Sequence, residues 1–206
     1  MNETNYEFKI ALIGSTNAGK STLLERYINN KFQNLFATIG VNTTLKDVNI
    51  IVKKDNQIQE RLKVALRISD TAGQERFRSL APVYIKNAHC IIFVIDLFSQ
   101  NAYKEFNYWL KEINDNIQSK SFLVICGTKI DLDDEEQRVF DLNYFEDFVK
   151  NKIGYYFETS SKLNKGIDEM FYFIAEECYN LFHNEINLNK TIQKSTNKNM
   201  MKKKKC

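Results

Sequence analysis

The segment that most constrains this chain is 14–21, which reads GSTNAGKS and matches the pattern G-x-x-x-x-G-K-[ST]. In that pattern two glycines let backbone N–H groups turn inward around a phosphate chain. The lysine adds positive charge, and the final hydroxyl can bind Mg²⁺. The apolar run 8–13 precedes the segment and predicts a buried strand, and residues 20–29 follow it and predict a helix whose N-terminus favours an anion. We interpret 14–21 as a phosphate-binding loop, the alternative being an ordinary turn.

The rest of the chain alternates between two patterns of apolar residues. Runs typical of buried strands recur at 8–13, 62–68, 90–96, 122–127 and 155–158. Helix-like stretches lie between them at 20–29, 101–117, 141–152 and 166–182. One more strand is predicted over 43–53, and residues 54–57 would turn it back as an antiparallel hairpin with 62–68. This alternation predicts an α/β fold, with a mostly parallel sheet and helices on both faces.

Helical spacing predicts which side chains pack on that sheet. In the last helix they are Ile167, Met170, Phe171, Ile174, Ala175, Cys178 and Leu181. In 101–117 they are Phe106, Trp109, Leu110 and Ile113. Cys90, Cys126 and Cys178 lie in apolar runs without a paired-cysteine motif, so we expect buried reduced thiols and no zinc site.

Charge is unevenly distributed along the chain. The formal net charge is +3, but the residues from Ile186 onward hold seven lysines and no acid, so subtracting seven leaves −4 for the rest. A mildly acidic body argues against nucleic-acid binding, and the basic segment suits an anionic partner. From about residue 184 the sequence is rich in Asn, Lys and Thr without periodicity, which predicts disorder. We therefore divide the chain into a domain over 1–183 and a disordered basic tail over 184–206.

A second motif, DTAGQE, follows the predicted strand 62–68 at residues 70–75. A carboxylate at the end of a strand beside the phosphate loop can hold Mg²⁺ through water, which suits Asp70. Gly73 lets its N–H approach a γ-phosphate closely, and Gln74 can orient an attacking water. The motif is weak alone, but its position after a phosphate-binding loop makes it specific.

Two further motifs follow the last two predicted strands. Residues 128–131 read TKID, and a carboxylate at Asp131 can accept hydrogen bonds from guanine N1–H and the 2-amino group, which adenine lacks. The Lys129 stem would cover the base. Residues 158–162 read ETSSK, and their backbone N–H groups can meet the guanine 6-oxygen. Either segment alone could be a polar turn, but their order at successive strand ends predicts a guanine site.

With these four motifs in order, residues 6–182 resemble the Ras superfamily of small GTPases, and most of all the Rab family. The Rab-like segments are DTAGQERFRSL at 70–80, APVYI at 81–85, ATIGV at 37–41 and ETS at 158–160. The resemblance implies a six-stranded sheet with one antiparallel edge strand and five helices. It also implies binding of GTP and GDP with Mg²⁺ and slow hydrolysis of GTP.

The resemblance assigns roles to particular residues by motif match. Those that would contact the nucleotide are Thr16, Asn17, Ala18, Gly19, Lys20, Ser21, Thr22, Phe32, Thr38, Gly73, Thr128, Lys129, Asp131, Ser160, Ser161 and Lys162. Ser21, Thr38 and Asp70 would hold Mg²⁺, Phe32 would cover the guanine edge, and Gln74 would be the catalytic residue. Loss of the γ-phosphate would release the segments around 33–42 and 70–80. An exchange factor, a GTPase-activating protein and effectors would bind residues 33–43 and 70–84.

The chain departs from the family pattern at several positions. Thr128 replaces the usual Asn and Ser161 the usual Ala, and guanine selection is expected to remain with Asp131. The aromatic triad that Rab effectors read is replaced by Thr43, Ser69 and Tyr84, which makes effector identity an open question.

The alternatives to a Rab-like trafficking GTPase are a guanine-nucleotide-binding scaffold with negligible hydrolysis, a non-Rab signalling GTPase of the superfamily, and a P-loop ATPase or kinase.

The basic tail ends in four lysines, 202–205, followed by Cys206. We expect a single prenyl group on Cys206, with the lysines attracting an anionic membrane, although a solvated tail is the alternative. No secretion signal and no membrane-spanning apolar run are found in the sequence. We therefore expect a cytosolic protein that cycles to the cytoplasmic face of an endomembrane and takes part in vesicle traffic.

Overall fold

The computed structural model describes residues 6–33, 40–53, 59–71, 79, 81–132, 138–140 and 154–203, without the side chains of 53, 185 and 188–203. Six strands form one sheet: β1 Tyr6–Gly14, β2 Val41–Lys53, β3 Gln59–Thr71, β4 Cys90–Asp96, β5 Phe122–Thr128 and β6 Gly154–Glu158. Their order across the sheet is β2-β3-β1-β4-β5-β6, and only the pairing of β2 with β3 is antiparallel. The predicted α/β fold with one antiparallel edge strand is confirmed.

Four α-helices accompany the sheet in the described part of the chain: α1 Lys20–Asn29, α2 Ala81–Asn87, α3 Ala102–Asn116 and α4 Ile167–Lys203. The family resemblance implies five, and the helix predicted over 141–152 lies outside the described residues, as does the turn predicted over 54–57. The pattern of apolar residues did not predict α2. This helix has only seven residues, and Pro82 lies in its first turn, where no intrahelical N–H bond is required.

The last helix is longer than predicted. Its backbone is helical as far as Lys203, whereas the sequence predicted an end at 182 and disorder from 184. No glycine or proline follows Gly166, so the chain contains no strong helix breaker that would end α4 earlier. None of the described helices is both long enough and apolar enough to cross a membrane.

Alternation along β1 builds two cores, one on each face of the sheet. Phe8, Ile10 and Leu12 face a cluster that includes residues of α1 and α4, whereas Ala11 and Ile13 face α2 and α3. The apolar residues predicted to pack on the sheet are buried or half-buried with one exception. Leu181 is 45% exposed, and the buried position belongs to Phe182, seven residues after Ala175 on the same helical stripe. The three predicted core cysteines are buried and free, as expected.

Candidate nucleotide-binding site

The predicted motifs meet at one edge of the sheet. Because β1 and β3 to β6 are parallel, their carboxyl ends share that edge. The phosphate loop leaves β1 there, Asp70 lies near the end of β3, and the two predicted base loops follow β5 and β6. The topology therefore joins motifs that are more than a hundred residues apart in the sequence.

The phosphate loop passes very close to β4. Gly14 has a φ of 142°, and a Cβ at this position would lie 2.2 Å from the carbonyl oxygen of Val94, so the position requires glycine. Gly19 and Asn17 also have positive φ values, of 94° and 62°. Backbone conformations of this kind turn successive N–H groups towards one point and form a concave site for an anion.

Lys20 lies across this loop with its side chain buried. Its Nζ donates hydrogen bonds to the carbonyl oxygens of Gly14 at 2.9 Å and Ser15 at 2.7 Å. The Ser15 hydroxyl in turn donates to Oε2 of Glu105 on α3, at 2.6 Å. The ammonium charge is thus held within the loop, and α3 anchors the loop through an acid that the motif does not include.

Ser21 and Asp70 form the side of the site where a metal is predicted. The Ser21 hydroxyl donates to Oδ2 of Asp70 at 2.6 Å, while Oδ1 of this carboxylate is buried and accepts no hydrogen bond from the described residues. Burial raises the pKa of Asp70, and the Ser21 hydrogen bond and the charge of Lys20 only partly oppose that shift. A hydroxyl and an incompletely paired carboxylate are ligands that suit Mg²⁺, so these residues fit the ion. Within the described residues no cluster of three or more His, Cys, Asp or Glu forms a separate metal site.

Thr128 connects the base side of the site to the phosphate loop. Its buried hydroxyl lies 2.8 Å from the carbonyl oxygen of Ala18 and 3.1 Å from that of Ile95, so both acceptors are within reach of its one proton and Ala18 makes the shorter contact. The next residue, Lys129, has a φ of 67°, and its Nζ pairs with Oδ2 of Asp96 at 2.7 Å. None of the four sequence motifs includes Asp96. Its place at the carboxyl end of β4, beside the phosphate-loop strand, is the signal that could have found it.

Asp131 is held by the loop that follows β6. Oδ1 of Asp131 accepts a hydrogen bond of 2.6 Å from the Ser160 hydroxyl, which itself accepts one from the backbone N–H of Leu163 at 3.0 Å. Lys162 lies farther away, with its Nζ 3.9 Å from Oδ2 of Asp131 and most of its side chain exposed. The fully buried Ser160 side chain therefore orients the carboxylate, a role that the sequence analysis did not predict.

Comparison with known proteins identifies the family. The model described as the Ras family matches residues 9–180. This chain belongs to the Ras family. The Ras-related protein RabJ of Dictyostelium discoideum is 35% identical over 180 residues, which are 87% of this chain and 66% of that protein. Rab-21 of Homo sapiens is 34% identical over 167 residues, 81% of this chain and 69% of the relative. Rab-30 of Homo sapiens is 35% identical over 176 residues, 85% of this chain and 81% of the relative. The prediction of a divergent Rab-like small GTPase is confirmed.

Other predicted site residues of this Ras-family GTPase are less enclosed. Thr16 is exposed at the phosphate loop, and Thr22 is half-buried on α1. Phe32 follows α1 and is 49% exposed. The remaining predicted residues lie outside the described part of the chain: Thr38, Gly73, Gln74 and Cys206.

The positions that hold an aromatic triad in Rab proteins lie on β2, β3 and α2 in this chain. Thr43 and Ser69 face each other across the antiparallel strands, and their hydroxyl oxygens are hydrogen-bonded at 3.2 Å. Tyr84 is half-buried on α2. A polar pair therefore occupies two of the three positions where Rab proteins carry aromatic residues.

Proposed function

We propose that this Rab-like GTPase binds GDP and GTP together with Mg²⁺ and acts as a switch in vesicle traffic at an endomembrane. The observation that carries the proposal is the hydrogen bond from Thr128 to the carbonyl oxygen of Ala18. This bond connects two loops. The phosphate loop contains Lys20, which is held by two carbonyl groups and suits phosphates. The loop after β5 contains Asp131, whose carboxylate is oriented by Ser160 and suits guanine. A guanosine diphosphate or triphosphate carries both a guanine base and phosphates, joined through one ribose.

Each residue has a part in the proposed reaction. Lys20 and the loop amides bind the outer phosphates, while Ser21 and Thr38 would hold Mg²⁺, and Asp70 would contribute through a water. Bound Mg²⁺ supplies positive charge that stabilises the charge developing on the phosphate oxygens. Gln74 orients a water whose oxygen forms a bond to the γ-phosphorus as the bond to the β–γ bridging oxygen breaks. The products are GDP and inorganic phosphate.

The base is selected on the opposite side of the site. Asp131 accepts from guanine N1–H and the 2-amino group, and Ser160 keeps that carboxylate in place. Lys129 covers the ring while Asp96 holds its ammonium group. Adenine offers no matching donor pair, so it would leave the carboxylate of Asp131 poorly compensated.

The same proposal includes protein partners and attachment to a membrane. An exchange factor, a GTPase-activating protein and effectors bind residues 33–43 and 70–84, whose contacts depend on the γ-phosphate. The lysines before Cys206 attract an anionic leaflet and support prenylation of that thiol. Mass spectrometry of the protein from its own cells tests the modification, and an unmodified Cys206 contradicts it.

The first experiment extracts bound nucleotide from the purified full chain and follows GTP hydrolysis with Mg²⁺. Gln74→Leu is compared with Gln59→Leu, the same change at the exposed start of β3, at the end of that strand away from Asp70. We expect bound guanine nucleotide and slow turnover that falls only in Gln74→Leu. Adenine nucleotide, or no nucleotide, would contradict the assignment of Asp131. Guanine nucleotide without turnover, even with a GTPase-activating protein, would favour a scaffold.

A further inference from the structure

Arg26 connects α1 to the loop that follows β6. Its Nε donates a hydrogen bond to the backbone carbonyl oxygen of Ser161 at 2.7 Å, and its Nη2 lies 3.5 Å from that of Lys162. These contacts span 135 and 136 positions of sequence. The side chain is half-buried, so its guanidinium lies between the helix and the loop rather than extending into solvent.

The loop that Arg26 contacts is held from three directions. Ser160 and Lys165 close it by two backbone hydrogen bonds of 3.0 Å, and the Ser160 hydroxyl fixes it to Asp131. Arg26 supplies the third attachment, from the helix that begins at Lys20 and Ser21. A planar guanidinium presents several donors in a fixed fork, so it restrains the direction of the peptide groups it binds as well as their distance.

We propose that Arg26 is a positioning residue for guanine recognition. It holds the carbonyl groups of Ser161 and Lys162 on the side facing α1, so the N–H groups of this loop face the guanine 6-oxygen. The inference rests on the proposed guanine site and deepens it. It also makes α1 a rigid link between the phosphate end and the base end of the nucleotide, because the helix carries Ser21 in its first turn and Arg26 in its last full turn.

A purely structural role would be the capping of α1. Nη1 of Arg26 donates to the backbone oxygen of Asn30 at 2.9 Å and to its Oδ1 at 3.1 Å, and Asn30 ends the helix in a left-handed conformation with φ of 53°. Asn30→Gly removes only the side-chain acceptor and keeps a residue that adopts this φ without strain. It therefore controls for the side-chain part of this cap, and the comparison of two nucleotides below controls for the part made through the backbone oxygen.

The test measures dissociation rates of two diphosphates from the full chain: GDP, and the 2-aminopurine analogue, which lacks the 6-oxygen and also the N1–H. Each variant is compared with the wild type for the same nucleotide, so the missing N1–H affects both proteins equally. We expect Arg26→Ala to release GDP roughly five- to tenfold faster, the equivalent of about one hydrogen bond. Release of the analogue should change less than twofold, because it makes no contact through the missing oxygen. Arg26→Lys should fall between Arg26→Ala and the wild type, since an ammonium lacks the planar fork. Asn30→Gly should resemble the wild type.

Each outcome has one meaning. Equal acceleration for both nucleotides, or the same acceleration in Asn30→Gly, would overturn the inference and leave Arg26 as a helix cap. Unchanged GDP release in Arg26→Ala would also overturn it. If Arg26→Ala does not fold, Arg26→Lys carries the same comparison, because it keeps the charge and the helix propensity. Wild-type protein that fails to bind GDP would refute the proposed guanine site itself.

Discussion

Gly166 offers the sharpest test of how the loop that follows β6 is held in place. It has a φ of 73°, and a Cβ added there would lie 2.2 Å from the carbonyl oxygen of Glu158, at the end of β6. Gly40 has nearly the same φ, 77°, but an added Cβ would meet no heavy atom of the described residues within 4 Å. Both glycines therefore adopt a left-handed backbone conformation, but an added Cβ would collide with the backbone only at Gly166.

The magnitude follows from separating those two costs. Alanine in the left-handed conformation costs about 1–2 kcal/mol at either glycine. Gly166→Ala adds a backbone displacement of about 1–3 kcal/mol, because a carbonyl oxygen cannot move aside as a flexible side chain can. We expect its free energy of unfolding to fall by about 2–5 kcal/mol, against about 1–2 kcal/mol for Gly40→Ala. In a chain of this size the difference corresponds to a melting temperature roughly 2–12 °C lower.

The assay is thermal unfolding of the two full-length variants and the wild type at one fixed concentration of nucleotide and Mg²⁺. A fixed concentration is needed because bound ligand stabilises the native state by mass action. Gly166→Ala should also weaken nucleotide binding, since its collision displaces the loop that carries Ser160. Equal destabilisation of the two variants would refute the reasoning, because it would mean that the contact with Glu158 has no energetic weight.

Two further perturbations test other parts of the site and the sheet. Thr128→Val removes a buried hydroxyl that serves two carbonyl groups, so we expect the free energy of unfolding to fall by about 1–3 kcal/mol and GDP release to accelerate. Thr43→Val, the same change at an exposed position of β2, should alter stability by no more than about 0.5 kcal/mol, and equal effects in denaturant titrations would contradict the interpretation. His89 accepts a hydrogen bond through Nδ1 from the backbone N–H of Lys9 at 2.8 Å, and burial, with the charge of Lys9, lowers its pKa. The unfolded chain therefore binds a proton on His89 more readily than the folded chain does. The neutral, buried His89 contributes fully to stability above about pH 6.5, and this contribution is lost as the pH falls below that value. The free energy of unfolding of His89→Asn should depend less on pH in this acidic range than that of the wild type. If plots of unfolding free energy against pH are parallel for the two proteins, His89 does not contribute.

The central strands of the sheet could be predicted from the sequence because they are buried on both faces. The runs 8–13 and 90–96 contain almost only apolar residues, and each became a strand with bounds within two residues of the prediction. The short helix α2 was missed because seven residues give too little periodicity to detect, and because Pro82 suggests an interruption. Leu181 was assigned to the core because it lies three residues after Cys178, but the stripe that faces the sheet continues through Phe182 instead.

The chemistry-bearing loops could be predicted from spacing, but their supports could not. Lys20 and Asp131 could be predicted as groups that would contact a ligand, because phosphate and guanine each require a side chain of particular chemistry. The contacts from Thr128 to Ala18 and from Arg26 to Ser161 depend on how separate loops pack, which no local pattern specifies. The roles of Thr38 and Gln74 stay predictions, because both lie outside the described residues.

The position of β1 has a consequence for how a nucleotide can leave. This strand lies inside the sheet, with β3 on one side and β4 on the other, and its end becomes the phosphate loop. Backbone amides in such a place exchange with solvent only when the whole domain opens, whereas loops at the edge of a fold open far more often. The phosphate loop is therefore joined to the slowest-opening part of the molecule. We therefore expect departure of a nucleotide to begin with peripheral segments moving away from it, while β1 beneath the loop keeps its hydrogen bonds.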